Sequence, residues 1–148
     1  MPSAGVDSGS VSSPAASTPT QVPQAGEDEA YENAVNLILK SREYDKAIPA
    51  FQSFISRFPN SGYAPNAHYW LGQLLFNKQQ WSEASEHFNI VANRFTDSTK
   101  RPDALLKLGV IAERTGDSST ARQLFQQVVN DYPDSSAKRL AESRLNNL

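Results

Sequence analysis

Between Pro65 and Phe95 the apolar residues fall into two runs of helical spacing joined by a short polar turn. Leu71, Gly72 and Leu75 share one face of the first run, and Ala84, Phe88 and Val91 share one face of the second. The same phrase recurs along the chain. Ala47, Ala84 and Ala121 are separated by a step of 37 residues, and Phe51, Phe88 and Phe125 follow at the same step. Leu71-Gly72 returns as Leu108-Gly109 and Pro65 as Pro102; Pro59 and Pro133 close the first and third units, with Thr96 in that place in the second. Such a period marks stacked supersecondary units, none of which can bury its apolar face alone.

The pattern predicts an all-α solenoid spanning residues 27–148: three helix-hairpin repeats at about 28–64, 65–101 and 102–136, then a capping helix over 137–148. Glu27, Asp28 and Glu29 put negative charge at the first helix N-terminus, where the backbone dipole favours it. Pro65 and Pro102 suit the first position of a helix, and Asp117 suits an N-cap. Pro49 lies beyond the first turn of its helix, so a kink or irregularity is expected there. Gly72 and Gly109 are expected to let two helix backbones approach closely, with Phe51, Phe88 and Phe125 filling the gap between pairs. Leu140 and Leu145 are placed to cover the open end of the third unit, with Arg139, Glu142 and Arg144 on its wet side.

At these residues the chain resembles the tetratricopeptide-repeat family, whose pattern is a bulky residue, Leu-Gly, a large apolar residue, Ala-x3-Phe and a closing Pro. The second unit supplies His68, Leu71-Gly72, Leu75, Ala84 and Phe88; the third supplies Leu105, Leu108-Gly109, Ala112, Ala121, Phe125 and Pro133. The first is weaker in its first helix, with Tyr31, Ala34-Val35 and Ile38 ahead of Ala47, Phe51 and Pro59. The step exceeds the family's usual 34. The surplus falls in residues 60–64 and 97–101, where it is expected to alter how neighbouring units stack slightly.

Composition narrows the function. The net charge is −2, so no basic footprint argues for nucleic acid, and no cysteine is present for disulfides, thiolate metal sites or thiol catalysis. Residues 1–26 are nearly all Ser, Pro, Ala, Thr, Gly, Gln and Val, with Asp7 the one charge; they read as a disordered linker, either a tether to an upstream segment or a flanking remnant. No catalytic constellation is found. His68 and His87 lie 19 residues apart with no Cys or H-E-x-x-H partner, which favours structural or surface roles, and no glycine run or G-x-S-x-G elbow is present. Neither a cofactor nor a metal is expected, and the chain reads as a non-enzymatic binding module.

What remains is surface. By helical geometry the first helix of each unit turns one side away from its partner, toward a shared groove. That side carries Glu32, Asn36 and Lys40 in unit one. In unit two it carries Asn66, Tyr69, Gln73, Phe76 and Asn77, and in unit three Asp103, Leu106, Lys107, Val110 and Arg114. Tyr69, Phe76, Leu106 and Val110 are apolar with no obvious partner inside their own repeat, which makes them candidate anchors for an amphipathic helix or extended peptide. Trp70 and Trp81 are read as packing residues.

Three stretches are similar to the C-terminal domain of the CpoB/YbgF family, the cell division coordinators associated with the Tol–Pal system: YDKAIPAFQSFISRFPNS from Tyr44, YAPNAHYWLGQLLF from Tyr63 and LFQQVVNDYPDS from Leu124. The resemblance implies a periplasmic protein that binds TolA and couples septal peptidoglycan synthesis to outer-membrane constriction, with a peptidoglycan synthase as a further partner. In that family a signal peptide and a trimerising coiled coil come first, so the chain reads as linker and repeat domain and is expected to be monomeric, the full-length protein trimeric. BamD, a lipoprotein of outer-membrane β-barrel assembly, shares the Y-x-x-A-I-x-x-F phrasing but needs a lipidated Cys and more repeats. A co-chaperone carboxylate clamp needs Lys where Glu32 stands, and a repeat-regulated hydrolase finds no support in the residues.

Overall fold

The protein is described here over residues 26–148 of a computed structural model. The stretch read as a disordered linker lies outside the described residues except for Gly26. The described residues form seven helices: α1 Glu27–Leu39, α2 Tyr44–Arg57, α3 Ala64–Asn77, α4 Trp81–Arg94, α5 Arg101–Arg114, α6 Ser118–Asp131 and α7 Ser136–Asn146. Each packs on the next in sequence, and α7 also reaches α5, as the first helix of a fourth hairpin would. The three alanines of the repeat and Phe51, Phe88 and Phe125 are fully buried, at the centre of one continuous core.

The glycines work differently from the backbone-to-backbone approach expected of them. A methyl group built on Gly72 would stand 2.8 Å from Phe88 Cε1, and one on Gly109 would stand 2.5 Å from Phe125 Cε1. Each glycine is therefore a seat for the partner helix's phenyl ring. Unit one has Val35 at this place, and there Phe51 stacks on Trp70 of the next unit at 6.4 Å and meets Tyr31 edge-on at 6.3 Å.

The helix ends repeat at the same step. Arg42, Gln79 and Gly116 each take positive φ (57°, 61° and 88°) in the turn inside a hairpin. After it, the N–H of Gln80 donates to Leu75 O and that of Asp117 to Ala112 O, which satisfies carbonyls left open by the helix end. Asp117 caps α6 as expected, accepting from Thr120 N at 3.1 Å. Pro65 and Pro102 fall at the second rather than the first helical position, after Ala64 and Arg101, where a missing N–H is equally harmless. At Pro49 the helix is not interrupted; α2 runs on to Arg57.

The linkers between hairpins form a repeat of their own. Phe58, Phe95 and Tyr132 cap α2, α4 and α6, and Ser61, Ser98 and Ser135 each donate N–H back to that aromatic residue's carbonyl. Glu27, read as a dipole acid, is buried and accepts from Ser61 Oγ, while Asp28 accepts from Tyr63 Oη at 2.7 Å. The start of α1 is thus tied to the α2–α3 linker. Arg101 ties the next linker: its Nε donates to Ala92 O at 2.7 Å and its Nη1 to Tyr132 Oη at 3.0 Å. At the C-terminal end the expected capping holds in part: Leu145 packs against the core beside the buried Ala137 and Ala141, whereas Leu140 is 57% exposed and Arg144 pairs with Glu113 at 3.1 Å.

Candidate partner-binding face

The odd-numbered helices carry the candidate residues, and the structure gathers seven of them around two concavities. Gln73 and Asn77 are joined by a 3.3 Å hydrogen bond and line a cavity of ≈ 490 Å³ with Ile38, Tyr44, Ile48 and Trp70. Gln73 Oε1 is buried and has no hydrogen-bond partner among the described residues. Phe76, Leu106, Lys107, Val110 and Arg114 come together around a second cavity of ≈ 210 Å³, closed by Leu140 and Arg144 of α7. Asn36, Lys40, Asn66 and Tyr69 border neither of these two cavities.

Two of the four apolar anchors are not the outward residues that helical geometry implied. Leu106 is 8% exposed and Val110 is 7% exposed. They form the floor of the second cavity because α7 packs against α5, a contact set by the capping helix and not by either repeat. Tyr69 is half-buried against Phe88, with ring centroids 5.5 Å apart. Burial, with the nearby Asp103 charge adding to it, pushes the Tyr69 phenol up to about 12. Phe76 is half-buried and meets Trp81 edge-on at 5.1 Å, with Lys107 Nζ 4.5 Å from the ring centre. Burial lowers the pKa of that lysine, against a partial rise from Asp103.

Sequence reasoning missed Trp70, Ile48, Leu140 and Arg144. Trp70 held the one available signal: its places in the other units are Asn33 and Lys107, so this position belongs to the variable face of the first helix and not to the repeating core. The others enter through contacts between units, which no single repeat displays.

The two histidines, read as separate structural or surface residues, are partners. His68 Nδ1 and His87 Nδ1 lie 3.0 Å apart between α3 and α4, so one ring donates and the other accepts, both neutral. Burial is the largest cause that pulls His68 down to about 4, with the His87 and Arg94 charges acting in the same direction. Burial also lowers His87, against the raising influence of Glu86 and Glu83. Among the described residues no group of three or more His, Cys, Asp and Glu is placed to hold a metal, and no helix is long and apolar enough to cross a membrane.

Two tetratricopeptide-repeat models match the chain, one over residues 33–98 and the other over 103–135. The solved Yersinia enterocolitica type III secretion chaperone SycD, in complex with a peptide of the translocator YopD, superposes with a TM-score of 0.67. That match covers 86% of this chain and 92% of the chaperone at 15% identity.

The chain is an all-α tetratricopeptide-repeat solenoid.

Within that fold its sequence is similar to the cell division coordinator CpoB. The match to the Escherichia coli relative is 50% identical over 48 residues, 32% of this chain and 18% of that protein. The Pseudomonas putida relative matches at 50% over 44 residues, 30% of this chain and 16% of its own length. The matched stretch is thus less than a fifth of either relative. The tetratricopeptide repeats account for the alanine, glycine and phenylalanine positions.

Proposed function

We propose that this domain is a non-enzymatic protein-interaction module of cell division in the bacterial envelope. It takes a helical or extended segment of a partner on the face formed by α1, α3, α5 and α7. The carrying observation is the first cavity. It offers apolar walls from Trp70 and Ile48 beside the amides of Gln73 and Asn77. Side-chain amides beside apolar walls suit the backbone and the apolar side chains of a bound helical or extended segment. Similarity to the cell division coordinator CpoB supports the cell-division setting; a periplasmic location, TolA as the partner, and coordination of septal peptidoglycan synthesis with outer-membrane constriction complete the proposal, as the sequence resemblance implies.

Calorimetry of this chain with the periplasmic part of TolA tests the reading. The double variant Gln73→Ala/Asn77→Ala is expected to weaken binding about fivefold or more with an unchanged melting temperature. Asn89→Ala, exposed on α4, should leave affinity as it is. Wild-type affinity in the double variant, or no heat of binding from TolA, would contradict the assignment.

A further inference from the structure

Lys100, Lys107 and Arg114 stand seven residues apart along α5, the first of them at its N-cap. Seven residues are two helical turns, about 10 Å, so the three cations form one line. Tyr69 and Phe76 stand seven apart on α3 in the same way. The two lines meet. Lys100 Nζ lies 5.3 Å from the Tyr69 ring centre and Lys107 Nζ 4.5 Å from that of Phe76. The Arg114 guanidinium lies 5.7 Å from Phe76 and 5.6 Å from Trp81. Among the described residues none of these three cations has a carboxylate within 4.0 Å. Asp103 is near enough to act on Lys107 but forms no ion pair with it, and Glu113 is held by Arg144. The line is left net positive on a chain whose net charge is −2.

An aromatic face offsets only part of what a cation loses when water is stripped away, and a carboxylate does so more fully. Lys107 is half-buried with no carboxylate in contact, so an incoming anion is favoured at this place above the rest of the surface. The half-buried Phe76 and the exposed Leu140 give the same patch an apolar rim.

We infer that this line docks an acidic helical segment of a partner protein, its carboxylates repeating every seven residues against Lys100, Lys107 and Arg114, and its apolar residues against Phe76 and Leu140. The inference rests on the odd-helix face being the binding face, and it adds the charge and spacing of what binds. A phosphate backbone has a shorter repeat than this line and meets an acidic protein overall.

Fluorescence anisotropy on the full chain tests it, with a labelled Ala/Leu helical peptide of about 20 residues carrying Glu at every seventh position. Its Gln counterpart, oligothymidine and phosphatidylglycerol vesicles serve as the other probes. The Glu peptide should bind at least about tenfold tighter than the Gln peptide, and added salt should erase the difference. Lys107→Gln/Arg114→Gln should bring the two peptides level while the melting temperature holds. Equal affinity for both peptides in the wild-type chain, an unaffected double variant, or tighter binding of oligothymidine or vesicles would each overturn the inference. If TolA binds equally well to the Lys107→Gln/Arg114→Gln variant, the acidic preference fails and the binding face stands. If neither peptide nor TolA binds at all, the face itself is wrong.

Discussion

Phe125 lies with its ring against Gly109 so closely that a single added methyl group would come within 2.5 Å of Cε1. Both residues are in the core, and Phe125 has no exposed surface through which to move aside. Gly109→Ala gains up to about 1 kcal/mol of helix propensity but forces overpacking worth roughly 1–3 kcal/mol. The variant should therefore be less stable by up to about 2 kcal/mol in urea unfolding. Gly62→Ala, with open space around the new methyl, serves as the near-neutral control. A stabilised Gly109→Ala protein would show that the ring is free to shift.

The turns inside the three hairpins share one backbone geometry but not one residue. Gly116 adopts positive φ freely; Gln79 adopts it at a steric cost of about 1–2 kcal/mol. Gln79→Gly removes that cost and adds roughly 0.5–1 kcal/mol of chain entropy in the unfolded state. A small net stabilisation is expected, read as a higher urea midpoint. Gly116→Ala should lower the midpoint, although nothing lies within 4 Å of its new methyl. A lower midpoint for Gln79→Gly would contradict the backbone account.

The His68–His87 pair makes stability sensitive to acid. His68 is held at about 4 in the folded protein against an ordinary value of 6.5, because burial disfavours its charged form. The unfolded chain therefore binds a proton more readily between those values, and stability must fall as pH drops from about 6.5 toward 4. Above that window the pair contributes no pH dependence. His68→Leu, which copies Leu105 of the next unit, should flatten the decline in melting temperature between pH 7 and 5. An identical decline in the variant would place the acid sensitivity elsewhere.

The repeating core was legible in the sequence because its residues meet the same neighbours in every unit. Ala84 and Phe88 have the same task as Ala121 and Phe125, so spacing alone exposes them. The surface was less legible. Leu106 and Val110 are outward on an isolated helix and become a floor only when α7 arrives. Glu27 read as a dipole charge because its partner, Ser61, lies 34 residues away across a linker. The cation line on α5 was visible as a spacing in the sequence. Its meaning depends on the aromatic line of α3 lying beneath it, a register between units that no single helix encodes.

The central claim is that the odd-numbered helices present the binding face. Amide chemical-shift mapping of the labelled domain during titration with the periplasmic part of TolA tests it most directly. The account predicts shifts concentrated at Gln73, Asn77, Lys107 and Arg114, with α2, α4 and α6 little changed outside Tyr44 and Ile48. Shifts concentrated instead on exposed residues of α4 and α6, such as Asn89 and Gln126, would contradict it.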